Sequence, residues 1–431
     1  MFLLFVCPSP YVVVALGGSA SPAMLVGLAM FVWWGLSRVT SSLSAAHTKQ
    51  PIRIAAYFFI ATILASIAAA YARVLPAQES QATLRGLAIA LSFIGVVLFF
   101  ADGLKDRNDV EKIVKAFIIG GSFVAVIGLL QFITRNNIAP MLKLPGLGAV
   151  NDITFISERN GLPRVSGTAY HPIEYAVVLC AIWPFALRNA VMNWTKSGRI
   201  VSLIPFILIT CALPTALSRT AVVAFGAIVA TMFFTWTTKR RSRFFLTSAL
   251  CIVCLFIFAP KLPNVLIELF TKANQDVSIS TRTSDYSQAS KEIQNHLFFG
   301  RGYKTYDPNT YIYLDNQFLL SLIETGIFGL LSILGIFGTA ITLGRNIKHK
   351  ARDRFVKELG QCCASSLFAI LLCFATFDTL SFPMISFVSA SIIGITSALW
   401  RINRYINGQE EMAFHLTTSR VIEKKPITLV N

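Results

Sequence analysis

Long apolar runs, separated by short polar joints, recur from one end of the 431-residue chain to the other. Crossing the hydrocarbon core takes about 20 mostly apolar residues in a helix. The pattern predicts twelve such helices: roughly Phe2 to Leu16, Pro22 to Leu36, Ile54 to Ala72, Leu87 to Ala101, Ile113 to Phe132, Pro172 to Leu187, Ile200 to Leu217, Thr220 to Trp236, Phe244 to Phe258, Gln317 to Leu343, Cys362 to Phe377 and Ser381 to Trp400. Pro8 and Pro10 interrupt the first run. That run has neither the leading basic residue nor the small-residue cleavage site of a signal peptide, so it reads as a membrane helix. Two joints are far longer than the rest, at about 135–171 and 261–316. The expected fold is therefore all-α and polytopic: one membrane domain over about 1–400, two extracytoplasmic loops, and a polar, mobile cytoplasmic tail over 401–431. No internal repeat and no low-complexity linker divides it.

Composition agrees, with 55% hydrophobic and only 14% charged residues and a mean hydropathy of +0.63, values that exclude a soluble domain of this length. The net charge of +17 raises the question of a nucleic-acid partner. Placement answers it. Most lysines and arginines fall on alternate joints: Arg38, Lys49 and Arg53; Lys105, Arg107, Lys112 and Lys115; Arg188, Lys196 and Arg199; Lys239, Arg240, Arg241 and Arg243; Arg345 to Lys357; and the tail. An excess of basic residues marks the cytoplasmic side, which puts both termini inside and both long loops outside. Contact with anionic lipid accounts for these charges without nucleic acid. All eight cysteines fall in predicted spans, where a thiol acts as a small hydrophobe. Cys251 and Cys254 have CxxC spacing, but an apolar helix is the wrong setting for redox or metal chemistry.

Candidate chemistry gathers on the outer side. In "LPTALSRTAVVAF" Arg219 stands between two apolar runs, at the turn between the seventh and eighth spans. A cation there either snorkels to the interface or faces a cavity holding an anion. Arg159 and Arg164 in "SERNGLPRVSGTAYHP" and Arg282 in "STRTSDY" share that side. A guanidinium forks two hydrogen bonds onto phosphate or carboxylate, so converging arginines would make a diphosphate clamp. The loop 261–316 balances its basic and acidic residues, as a folded element does, and predicts two short amphipathic helices, from Asn264 and from Ser284. "GRGY", Gly300 to Tyr303, follows as a turn; its glycines neither follow a strand nor open a helix, which argues against nucleotide binding.

These stretches together carry a resemblance. "RVSGTAYHPIEYA" (Arg164 to Ala176), "LSRTA" (Leu217 to Ala221), "EIQNHLFFGRGY" and "LDNQFLLSLIETGIFGL" (Leu314 to Leu330) occur in the order and spacing of the O-antigen ligase and polymerase (WaaL/Wzy) family, which the chain resembles from about Arg135 to Trp400. The resemblance implies a metal-independent, inverting glycosyl transfer at the outer side of the bacterial cytoplasmic membrane. The implied donor is an undecaprenyl-diphosphate-linked glycan, and the acceptor is a sugar hydroxyl on lipid A-core or on another carrier-linked glycan. It assigns Arg164 and Arg219, with Arg159 beside them, to the donor diphosphate and Arg282 to catalysis. No DxD pair is present and the histidines are dispersed, so neither metal nor other cofactor is expected. Family ligases usually carry His-Asn where this chain has Asp315 and Asn316. A carboxylate can replace histidine as the base, but the exchange weakens a lipid A-core ligase assignment. Asp315 equally fits an N-cap for the tenth span.

Other residues have two readings. Glu174 and Glu324 are intramembrane carboxylates that either pair with site arginines or serve structure. His171 before Pro172 reads as a helix-start residue rather than a ligand, and Asp378 as a residue facing the acceptor. Tyr303, Tyr306, Tyr311 and Tyr313 either stack on sugars or form an interfacial belt. Twelve spans also describe a secondary transporter, and a lipid-carrier flippase would use arginines too. The first needs matching halves, the second a charged path through the membrane, and the sequence has neither.

Overall fold

The computed structural model of the chain describes residues 2–16, 20–40, 50–150, 155–192, 196–239, 241–242, 261–271, 289–307 and 310–423. In chain order the helices are α1 (Phe2–Val6), α2 (Pro22–Val39), α3 (Pro51–Tyr71), α4 (Ala77–Gly103), α5 (Arg107–Thr134), α6 (Pro172–Met192), α7 (Lys196–Ala212), α8 (Arg219–Phe233), α9 (Lys261–Thr271), α10 (Gln317–Lys350), α11 (Arg354–Cys373) and α12 (Pro383–Glu423). Among the described residues eight, α2 to α6 and α10 to α12, are long and apolar enough to cross a membrane; α7 and α8 are shorter and apolar. The span expected over Phe244 to Phe258, with Cys251 and Cys254, lies outside the described residues. So does Ser284, although residues 289–295 are helical.

The run Phe2 to Leu16 is not the helix expected. Proline fixes φ and removes an amide donor, and α1 stops at Val6, ahead of Pro8 and Pro10. Tyr11–Val13 instead forms strand β1, antiparallel to β2 (Leu147–Ala149), with Tyr11 opposite Ala149. Thr168 Oγ1 donates to the Phe5 carbonyl at 2.7 Å, and the Phe5 ring meets Phe117 of α5 edge-on at 5.9 Å. The N-terminal segment is thus tied to the loop 135–171.

The bundle closes around α12, whose membrane portion is almost wholly buried and which packs on α4, α10, α11 and α6. Small residues let helices approach in a membrane, where dispersion and polar contacts replace the hydrophobic drive. At the α2–α4 crossing a Cβ on Gly95 would stand 2.4 Å from the Gly27 carbonyl oxygen. Between α3 and α10, Thr62 Oγ1 donates to Ser332 at 3.0 Å and Ser66 Oγ to the Glu324 carbonyl at 2.7 Å. Helix α12 continues through Arg401 to Glu423, so the polar tail starts as a helical extension with no break at 401.

One end of the bundle collects the basic residues. Asp102, buried at the end of α4, accepts from Trp34 Nε1 at 2.7 Å, Gln50 at 2.9 Å, Arg53 at 2.6 Å and Arg38. Arg107 pairs with Asp353 at 2.8 Å. A buried carboxylate is tolerated when its lone pairs are filled this completely.

Candidate functional site

The opposite end carries the described residues among those singled out in the sequence, and the backbone of α10 explains two of their motifs. Gly326 interrupts this helix with φ 65° and ψ −167°, a region open in practice only to glycine. A break inside a membrane helix frees amides and carbonyls that must find partners in the protein. The "FFGRGY" stretch supplies them. Arg301 N donates to the Ile323 carbonyl at 2.8 Å and Gly302 N to that of Glu324 at 3.0 Å, while the Ile327 amide reaches the Leu297 carbonyl at 2.9 Å. A Cβ on Gly300, which has φ 72°, would stand 2.3 Å from the Glu324 carbonyl carbon. "GRGY" and "ETGIFG" are therefore two halves of one backbone lock. Arg301 fastens it to the start of α4 through Glu79 at 2.8 Å and lies over the Tyr311 ring at 4.3 Å.

Helix α10 opens at Asn316, whose Oδ1 accepts from the amides of Phe318 at 3.0 Å and Leu319 at 3.2 Å. The cap expected at Asp315 is thus Asn316: its amide side chain fits the same geometry, and one residue decides which of the two points outward. Asp315 lines a cavity instead.

The arginines meet at a turn. Glu158–Arg159 (β3) and Leu162–Pro163 (β4) form a two-residue hairpin through Asn160 (φ 50°) and Gly161 (φ 75°), the turn chemistry that favours Asn-Gly. Arg159 donates to the Leu217 carbonyl and Arg164 Nε to that of Ala216, both at 3.4 Å. Leu217 is fully buried and left-handed, with φ 46°, and Ser218 then takes the N-cap position of α8 without a side-chain capping bond, Arg219 being the first helical residue. Helix α9 covers the turn: Leu262 and Val265 pack on Leu162 and Leu217, and Glu268 accepts from Asn160 at 2.7 Å. Burial lowers the Arg159 pKa. Burial first, then Arg159, pulls Arg164 down to about 10, with Asp315 opposing. Burial and then Arg164 take His171 down to about 4, again against Asp315. His171 Nδ1 accepts from the Ile173 amide at 3.2 Å, the helix-start role expected of it.

Beside these groups lies a cavity of about 840 Å³, within the roughly 300–1,000 Å³ of small-molecule sites. The start of α4 contributes Gln78, Gln81 and Arg85; the loop contributes Lys304, Tyr306, Asp307, Tyr313 and Asp315; Tyr170, Glu324 and Asp378 complete the polar lining. Lys304 Nζ donates to Ser381 at 2.9 Å. Burial raises Asp378 to about 6 against the pull of Lys304. Glu174 does not line the cavity: its oxygens accept from Met384 at 2.7 Å, Ile385 at 3.1 Å and Tyr170 at 2.6 Å, all backbone amides. It holds the start of α12, where the helix dipole favours an anion.

Asp315, Glu324 and Asp378 thus share the cavity, Arg164 and His171 lie within electrostatic reach of Asp315, and Arg159 and Arg164 are drawn to the turn that precedes Arg219. Glu174 and Asn316 are engaged in capping backbone amides. Arg282 lies outside the described residues. Sequence reasoning missed Arg85, Lys304, Asp307 and the hairpin; only the hairpin had a signal, the Asn160-Gly161 pair.

A mostly helical protein with eight described helices long and apolar enough to cross a membrane, and a polar cavity at one end, defines the class. Within it, residues 204–334 match the family model described as O-antigen ligase, a segment running from α7 past Arg219 and Asp315 into α10. Through this segment the chain is similar to the O-antigen ligase family, a likeness that supports a membrane role in joining glycans. No curated protein matches the chain significantly.

Proposed function

We propose that the protein is a membrane glycosyltransferase that polymerises or ligates undecaprenyl-diphosphate-linked glycan at the outer side of the bacterial cytoplasmic membrane, with inversion and without a metal. The observation that carries this reading is the position of Asp315: on the cavity wall, within electrostatic reach of Arg164. Arg164 and Arg219, with Arg159 behind them, stabilise the leaving diphosphate, since fixed cations aimed at developing negative charge lower such barriers most. Asp315 takes the proton of the acceptor hydroxyl as that oxygen attacks the anomeric carbon, and the carrier diphosphate departs from the opposite face. Arg282, outside the described residues, is assigned to catalysis by the family resemblance alone. Glu324 and Asp378 contact the acceptor from the cavity wall, while His171, Asn316 and Glu174 hold the backbone around it.

Gel analysis of surface glycans from cells lacking the protein tests the reading. A polymerase leaves single carrier-linked repeat units, a ligase leaves long chains stranded on the carrier, and unchanged glycans would refute both.

A further inference from the structure

The cavity lining is acidic although the whole protein carries a net charge of +17. Asp307, Asp315, Glu324 and Asp378 face it against Arg85 and Lys304. One carboxylate can hold a proton and the lining still carries net negative charge. Lys304 is already committed: its ammonium donates to Ser381 at 2.9 Å and acts electrostatically on both Glu324 and Asp378. Arg159, Arg164 and Arg219 do not belong to the lining, and the first two are drawn to the carbonyls at 216 and 217. A net-acidic lining with Asp315 on its wall is thus set apart from Arg159, Arg164 and Arg219.

This separation constrains the substrate, given the glycan-transfer reading above on which the inference rests. The donor's diphosphate belongs with the arginines, so the sugar that reaches Asp315 from the cavity side is the acceptor. Carboxylates accept hydrogen bonds from sugar hydroxyls and amines. An acidic sugar would set like charge against like in a recess where water cannot fully screen it, and such juxtaposition is the strongest source of discrimination between partners. Tyr170 and Tyr313, exposed on the cavity wall, add aromatic contact to any sugar regardless of charge.

We propose that the cavity takes the acceptor end of the glycan and selects neutral or amino-bearing sugars against acidic ones, with Asp307 and Asp378 as the selecting residues. Uronates and sugars bearing phosphate or pyruvate are the excluded class.

The test uses the purified full-length protein in lipid vesicles, with donor and acceptor extracted from the producing cell. Three tetrasaccharides of equal length compete with the native acceptor: one of N-acetylglucosamine, one of glucosamine, and one alternating glucuronate with N-acetylglucosamine. The first two should inhibit at concentrations at least about tenfold below the third, and that gap should shrink at least threefold or so in Asp307→Asn, and further when Asp378→Asn is added. Equal inhibition by all three, stronger inhibition by the uronate, or a gap unmoved by Asp307→Asn overturns the selection. Absence of transfer with the native pair removes the glycan-transfer reading itself, and the inference with it.

Discussion

At the scale of the residue, Asp315 and Asn316 are neighbours with separable duties. Asn316 caps α10, and removing a cap costs about 1 kcal/mol; Asn316→Ala should therefore lower the melting temperature of the purified protein while keeping most of its transfer rate. The N-cap of α10 is Asn316 and not Asp315. As the proposed base, Asp315 should show the reverse, Asp315→Asn losing roughly 10²–10⁴-fold in rate at an unchanged melting temperature, with Asp315→His recovering part of the loss. Full activity in Asp315→Asn would move the base elsewhere. Asp378 gives a second handle, through pH. Its folded pKa of about 6 lies above the ordinary 3.8, so in that window the folded state binds more protons than the unfolded one, and this group's contribution to stability falls as pH rises toward 6. His171, lowered from 6.5 to about 4, acts oppositely: there the unfolded state binds more protons, and stability rises with pH across its window. Melting curves from pH 4 to 7 should consequently rise more steeply with pH in Asp378→Asn than in the native chain. Identical slopes would mean that Asp378 is not held above its usual range.

At the scale of the element, the turn that gathers the arginines and the break in α10 make different demands. A guanidinium forks onto a diphosphate and a lysine does not, so Arg164→Lys and Arg219→Lys should fold normally yet lose at least about tenfold in transfer; full activity in both would sink the clamp. Gly326 answers to geometry alone. Any side chain there meets an unfavourable φ and the Phe298 carbonyl oxygen, 2.3 Å from an added Cβ, and such strain costs on the order of 1–3 kcal/mol before any clash. Gly326→Ala should reduce the folded yield in detergent, measured by size-exclusion chromatography, whatever the substrate. The two elements also differ in how legible they were. Hydropathy located α2 to α8 and α10 to α12 because burial in lipid demands long apolar runs. It could not show the break, because Gln317 to Leu343 stays apolar across Gly326 and the distortion depends on Leu297 to Gly302 folding back onto it. Nor could it show that proline ends α1 and frees Tyr11–Val13 to pair with a loop more than a hundred residues away. Motif order singled out Arg164, Arg219 and Asp315, of which Arg164 and Asp315 come within electrostatic reach of each other; that Glu174 binds backbone amides and that Lys304 and Arg85 share a wall with Asp378 was not legible, since these residues meet only through packing.

At the scale of the whole molecule, the question is which way the bundle faces. Helix α4 spans it, with Gln78 and Arg85 at the cavity and Asp102 among Arg38, Arg53 and Gln50 at its other end. Its 27 residues at 1.5 Å each reach about 40 Å, enough to cross the hydrocarbon core. The two ends differ in charge as the two sides of a membrane require: the Asp102 end collects Arg38, Arg53, Arg107, Arg188, Lys350 and Arg354, whereas the cavity end mixes both signs. By the positive-inside rule the first is expected in the cytoplasm and the cavity outside, where the proposed carrier-linked glycan would meet it. Single cysteines can decide this in intact cells. Thr310, exposed at the cavity rim, and Lys350, exposed at the end of α10, are to be replaced separately by cysteine. The background carries Cys211→Ser, because Cys211 is exposed among the described cysteines. A membrane-impermeant maleimide should label Thr310→Cys from outside and Lys350→Cys only after permeabilisation. The inverse pattern would place cavity and arginines in the cytoplasm, where a carrier-linked chain is built rather than joined, and would overturn the outer-face transfer while leaving the fold as described.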